Sequence, residues 1–165
     1  MPDQAFGADL VLADLRADSL EAAFDLVLEA LKEQRYLSPA EGAPAREALL
    51  SREAVGSTAL GNAVQVSHAR LPERRRSLLC VARLHPPGLP PGPDGKAVRL
   101  LFLYLGPDTG PGDEDLARLQ KISKAARDPA WVESCLNAPG PEGFDQRLKA
   151  GLRRGQSDTE AGVRP

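Results

Sequence analysis

The residues best suited to chemistry lie in one stretch, "REAVGSTALGNAVQVSHARLPE" (52–73), which holds one of the chain's two histidines, His68. Gly56, Ser57, Thr58, Gly61 and Asn62 make a small, hydroxyl-rich segment, and backbone amides unobstructed by side chains approach an anion closely. Arg52 just before it and Arg70 just after it add guanidinium groups whose forked N–H donors suit phosphate oxygens. A histidine alone would read as a structural or merely exposed imidazole. Beside such donors it reads as a nucleophile that carries a phosphoryl group, because a neutral imidazole is available near neutral pH.

Other candidates carry less. His85, in "RLHPPG", opens a proline-rich segment and reads as a solvated loop residue. Arg70, Arg74, Arg75 and Arg76 cluster in "RLPERRRS", which is open to two readings, a solvated turn or a docking patch for an acidic partner face. With no aromatic interleaving and no wider basic field, the cluster does not point to nucleic acid. Asp113, Glu114 and Asp115 are acids in a helix's first turn, where the dipole already accounts for them, so they call for no metal. Cys80 and Cys135 fall in apolar runs rather than loops, and their isolation gives neither a zinc nor a redox spacing; both read as reduced core thiols.

The elements that must hold these residues follow from pattern. Leu20, Phe24, Val27, Leu28 and Leu31 form one apolar face of a helix that Asp18 can cap, with Glu21 completing a capping-box-like start. A second helix is expected over roughly 44–53 with Pro44 near its start. "ADLVLADL", "NAVQVSHA", "RRSLLCVARL" and "KAVRLLFLYL" read as strands, and "HPPGLPPGPDG" as a surface loop, since its prolines and glycines exclude a helix or central strand. Leu116, Leu119, Ile122 and Ala126 restore helical spacing, and "DPAWVESCL" and "GPEGFDQRLKAGLRRG" read as two more helices. Strands interleaved with helices predict an α/β layer structure whose ligands collect at the carboxyl ends of strands, which is where His68, following "AVQV", is expected. At 165 residues and 42% apolar side chains, the chain has the size of a single domain, expected over 1–150, with 151–165 a disordered tail that has little to bury. The net charge of -2 gives no electrostatic pull toward nucleic acid or an anionic membrane, and an acidic start without a long apolar run predicts a cytoplasmic protein.

"REAVGSTALGN" followed by "SHARLPE" resembles the signature of the fructose/mannitol and nitrogen-regulatory (PtsN-like) enzyme IIA domains of the bacterial phosphotransferase system. The order of elements over roughly 9–150 is similar too. The resemblance implies a mixed, mainly parallel sheet of about five strands flanked by helices on both faces. It also implies a histidine that accepts phosphate from the carrier protein HPr and passes it to an enzyme IIB or uses it as a regulatory signal toward a target protein. By position His68 is then the phosphorylated residue, Arg52 the motif arginine, and Ser57, Thr58, Gly61, Asn62 and Arg70 the phosphate-binding set. No metal or organic cofactor is implied, and the domain is not membrane-embedded. Three positions depart from the pattern: Ser67 replaces the proline before the histidine, Ala63 replaces the second glycine of GNG, and Asp115 stands where many sugar-specific members carry a second histidine. A carboxylate there opposes a phosphoryl group unless an arginine or a proton intervenes, which favours a regulatory member over a sugar-transport one. A related binding module that no longer transfers phosphate is the competing expectation.

Overall fold

Five segments, four of them largely apolar runs, pair into one sheet in the order β1-β4-β5-β3-β2. The computed structural model describes residues 7–72, 74–109 and 112–163, except the side chains of 113 and 154–163. Along the chain the elements are β1 (Leu10–Leu15), α1 (Leu20–Glu33), α2 (Pro39–Val55), β2 (Ala59–Gly61), β3 (Val64–Leu71), β4 (Leu78–Leu84), β5 (Leu100–Pro107), α3 (Asp113–Ala125), α4 (Pro129–Asn137) and α5 (Gly140–Val163). The pairs β1/β4 and β3/β5 are parallel, while β4/β5 and β2/β3 are antiparallel. The sheet is thus mixed as expected, with the two pairing types equal in number rather than weighted to parallel.

Side chains alternate across a strand, and β5 shows both results at once. Leu101, Leu103 and Leu105 join the core built with α1 and α2, around Phe24, Leu31 and Leu49. Leu100, Phe102 and Tyr104 join the opposite core, around Trp131, Phe144 and Leu148. A strand buried on both faces reads as an unbroken apolar run, which is why "LLFLYL" shows no period of two.

Helix boundaries differ from expectation in three places. Ser19, not Asp18, caps α1: its backbone is extended and its Oγ accepts the Ala22 N–H at 3.1 Å. Glu21, left out of any cap, pairs with Arg46 of α2, which also reaches Asp25 at 2.7 Å. Helix α2 begins at Pro39 rather than near Pro44, because Ser38 and Pro39 supply the start and Glu41 accepts the Ser38 N–H at 3.0 Å. Pro44 lies inside the helix, leaving the exposed Ala40 without a helical donor but open to water. At the other end α5 continues to Val163, and Leu152 is buried in the core. Gly151 seats α5 on Trp131, since a Cβ there would stand 1.9 Å from the indole nitrogen. The packed domain therefore passes the expected limit at 150; Arg164 and Pro165, the end of the expected tail, lie outside the described residues.

Strand β2 has only three residues, too few for a pattern to announce it. It turns into β3 through Asn62 (φ 54°) and Ala63 (φ 67°), the pair of positive φ values that a two-residue hairpin demands. The proline-rich loop is outside the sheet as expected, yet Leu89 and Val98 bridge across it and are buried. Among the described residues no helix is long and apolar enough to cross a membrane.

Candidate functional site

His68 sits within β3, three residues before its end, not at the carboxyl terminus of a strand as expected. The strand runs two residues past the expected "NAVQVSHA", because Leu71, like Ala69, is a core residue on the α1/α2 side. By alternation Val64, Val66, His68 and Arg70 face α3. Along that face burial falls from the fully covered Val64 and Val66 through a half-buried His68 to an exposed Arg70. The imidazole therefore stands where this side of the sheet emerges from the core. Its Nδ1 is sealed and has no hydrogen-bond partner; Nε2 is the ring nitrogen left open.

Tyr104 lies directly opposite His68 on β5, and Leu79 of β4 completes the row. The Tyr104 hydroxyl donates to Asp115 Oδ1, as does Ser77 Oγ at 2.6 Å. Asp115 occupies the first turn of α3 and is thereby bonded to the residue that stands opposite His68. Burial pushes its pKa up, but hydrogen bonds from Ser77, Tyr104 and the Gly112 backbone, with Arg118 nearby, hold it below the ordinary carboxylate value. The Tyr104 phenol is pushed up to about 12, first by burial and then by its bond to Asp115. At neutral pH the pair is a neutral phenol donating to an ionised carboxylate.

The other expected anion ligands are partly engaged elsewhere. Arg52, in the last turn of α2, donates from Nη1 to the Gly56 carbonyl at 3.0 Å. Ser57 is exposed and its Oγ accepts the Ala59 N–H at 3.1 Å. The Asn62 N–H, one of the amides suited to an anion, donates to Asp94 at 2.7 Å, and its side chain donates to the Ala126 carbonyl at 2.9 Å. Gly61, with φ 88°, abuts the same Asp94 carboxylate. These two residues hold the hairpin to the loop carrying Asp94 and to the end of α3. Thr58 belongs to a polar cluster on the α2 side of the sheet, where its hydroxyl donates to Glu53 Oε1. Gln65 Nε2 and Ser67 Oγ converge on the same oxygen at 3.3 and 3.4 Å. The sequence reading missed Glu53, although it is the second letter of "REAVGST"; a buried Gln65 and Ser67 alternating inside an apolar strand were the signal that an acceptor had to face them. Arg70, by contrast, remains exposed on the His68 face.

Outside this region, His85 is exposed but not merely solvated: its Nδ1 lies 3.0 Å from Asp14. Arg74 is tied to Glu41 at 2.9 Å. Arg75 and Arg76 stay exposed, lining a cleft of about 580 Å³ between the start of α2 and the β3–β4 turn. Cys80 and Cys135 form no disulfide and are buried on opposite sides of the sheet, and burial raises the Cys80 thiol to about 12. Among the described residues no group of three or more His, Cys, Asp or Glu side chains is placed to hold a metal ion.

His68 thus emerges from a strand lying between β5 and β2, in a mixed sheet covered by helices on both faces. The profile of the family described as "Phosphoenolpyruvate-dependent sugar phosphotransferase system, EIIA 2" matches residues 4–151, and the chain belongs to that family. A nitrogen regulatory protein from Bradyrhizobium diazoefficiens is 39% identical over 82 residues, which are 50% of this chain and 53% of that protein. The matched stretch thus spans about half the length of the curated relative. Among solved structures, nitrogen regulatory protein IIA-Ntr from Neisseria meningitidis superposes with a TM-score of 0.71 at 26% identity, covering 84% of this chain and 92% of that one. IIA mannitol from Escherichia coli shares the fold, with a TM-score of 0.64 at 19% identity over 84% of this chain and 94% of its own.

Proposed function

We propose that the protein is a phosphoryl carrier of the nitrogen-regulatory type, in which His68 accepts a phosphoryl group from an HPr-like phosphocarrier protein. Its phosphorylation state would then act as a signal to a target protein, with transfer to an enzyme IIB the less favoured outlet. The observation that carries the reading is the presentation of His68: one nitrogen sealed and the other open, at the edge of a core. In the step itself the bond from phosphorus to the donor imidazole breaks, its electron pair returning to that nitrogen, as a bond forms to His68 Nε2. Arg70 on the same face and Arg52 at the end of α2 are the guanidinium groups assigned to the moving charge, with Ser57 at the turn between them. No cofactor enters this reading, and its setting is cytoplasmic. Relatives named for nitrogen regulation support the regulatory over the sugar-transport form.

Incubation with phosphorylated HPr followed by intact-mass and peptide mass spectrometry tests it. Acid-labile phosphate is expected on His68 alone, lost in His68→Ala and unchanged in His85→Ala. A wild-type chain that stays unmodified while still binding a target would favour the alternative, a binding module that has lost transfer.

A further inference from the structure

We propose that Tyr104, assisted by Ser77, is a positioning residue that pins the Asp115 carboxylate in one pose, so that its charge does not block phosphorylation of His68. The inference rests on the reading of His68 as the phosphoryl acceptor.

The sheet register places the groups. Tyr104 is the cross-strand partner of His68, and Gly106 is that of Arg70, so strand spacing sets about 4.8 Å between each pair. Both hydroxyls land on Asp115 Oδ1. Oδ2 lies above Gly106, 3.9 Å from where a Cβ would stand, and that same point is 3.6 Å from Tyr104 Cε1 and 3.7 Å from Ser77 Oγ. The carboxylate is thereby turned onto the Gly106 row, one row beyond His68. The phenol that holds it cannot drift, because Tyr104 is 4% exposed and the Arg118 guanidinium lies 5.9 Å from its ring centroid. Arg118 is itself fixed by a 2.8 Å bond to the Gly7 carbonyl.

A phosphoryl group arriving at Nε2 brings negative charge, and its repulsion with a carboxylate scales inversely with distance and local dielectric. Two hydroxyl donors act on that term twice: they fix the carboxylate's rotamer, and they place positive hydrogen ends against its charge. Tyr104 exchanges no proton and forms no bond in this role. Its contribution is made through Asp115, and vanishes when Asp115 carries no charge.

The test is a two-by-two set of variants, wild type, Tyr104→Phe, Asp115→Asn and the pair, read as the rate of His68 phosphorylation against the concentration of phosphorylated HPr. Tyr104→Phe is expected to lower the saturating rate about five- to tenfold with less than a twofold change in half-saturating donor concentration. Asp115→Asn alone should change the rate by no more than about twofold, and in its background Tyr104→Phe should lose its effect. Ser77→Ala, which removes the other donor, should show a smaller slowing and serves as the second variant if Tyr104→Phe does not fold. Circular dichroism melting of each variant separates a rate loss from a folding loss. Full-rate Tyr104→Phe, or a slowing that persists unchanged in the Asp115→Asn background, overturns the proposal while leaving His68 as acceptor. If the wild type takes no phosphate on His68, the functional reading falls and this inference with it.

Discussion

Glu53 offers the most informative single perturbation, because it joins three segments through one oxygen. Oε1 accepts from the Thr58 hydroxyl, from Gln65 Nε2 at 3.3 Å and from Ser67 Oγ at 3.4 Å. The last helical turn of α2, the GST turn and β3 just before His68 therefore share an acceptor. Only the Thr58 bond is close; the other two are long, and the donors have fallback partners in one another, Gln65 to Thr58 at 3.2 Å and Thr58 with Ser67 at 3.4 Å. One hydrogen bond to a charged group contributes about 1.5–3 kcal/mol. The long pair adds little, so Glu53→Ala should cost about 2–3 kcal/mol in total. For a domain of this size that is a fall of roughly 5–10 °C in Tm. Glu53→Gln keeps an acceptor without the charge and should cost about half as much. Combining Glu53→Gln with Thr58→Ala should be less damaging than the sum by about 1 kcal/mol, since each removes the same bond. Urea unfolding followed by tryptophan fluorescence, with Trp131 as the only indole, reads all four forms. Additive losses, or a Glu53→Ala within about 0.5 kcal/mol of wild type, would show that the cluster does not hold these segments together.

Four further outcomes follow from particular contacts. Gly151→Ala should destabilise by more than about 2 kcal/mol, because its Cβ would enter the Trp131 indole and force α5 off the core; equilibrium unfolding decides, and an unchanged midpoint refutes the packing argument. Ala63→Gly should stabilise by about 1 kcal/mol by relieving a positive φ of 67° at a residue with a Cβ, checked by the same measurement. Replacing Arg83 by Met should cost about 2–4 kcal/mol, since its guanidinium group donates to the carbonyls of Ala13, Cys135 and Ala138 at 2.7–2.9 Å; Arg83→Lys should recover less than half, having no fork. Acid should unfold the chain through its lowered carboxyls. At Asp94 the Asn62 N–H lowers the pKa, and at Glu41 and Asp115 burial raises it but donors outweigh burial. Folded values below the unfolded ones mean stability that is complete above about pH 5 and lost as pH falls through the folded pKa values, so Tm measured from pH 7 to 3 should be level and then drop. A Tm still level at pH 3 would contradict it.

Much of this was legible from residue types. The α1 face around Phe24 and Leu31 declares itself at helical spacing, Pro129 behind Asp128 marks the start of α4, and the stretch 52–73 is distinctive enough to give the family. What stayed hidden depends on partners distant in sequence. Ser67 and Gln65 look out of place in a buried strand until Glu53 is seen to receive them. Asn62 looks like an anion donor until Asp94, 32 residues on, occupies its N–H. Tyr104 and Asp115 look unrelated until the turn into α3 brings phenol and carboxylate together. Leu152 looks like tail until α5 lays it on the second core.

The seam between β1 and β4 has a consequence for how the chain assembles. These strands are parallel neighbours, yet α1, α2, β2 and β3 lie between them in sequence, whereas the β2–β3 hairpin and the antiparallel β4–β5 pair close over shorter spans. Closing the longer loop costs more chain entropy before any contact repays it, so β1 is expected to dock onto a sheet already formed. The bonds that fasten it are Asp9 with the Leu79 backbone at 2.8 and 2.9 Å, Leu15 with the His85 N–H at 2.8 Å, and Ala13 with Arg83. Contacts made after the rate-limiting barrier govern how fast a protein comes apart rather than how fast it forms. Truncating Leu12 to Ala would accordingly accelerate unfolding and leave refolding nearly unchanged, with the N-terminal strand the first part of the sheet to peel away.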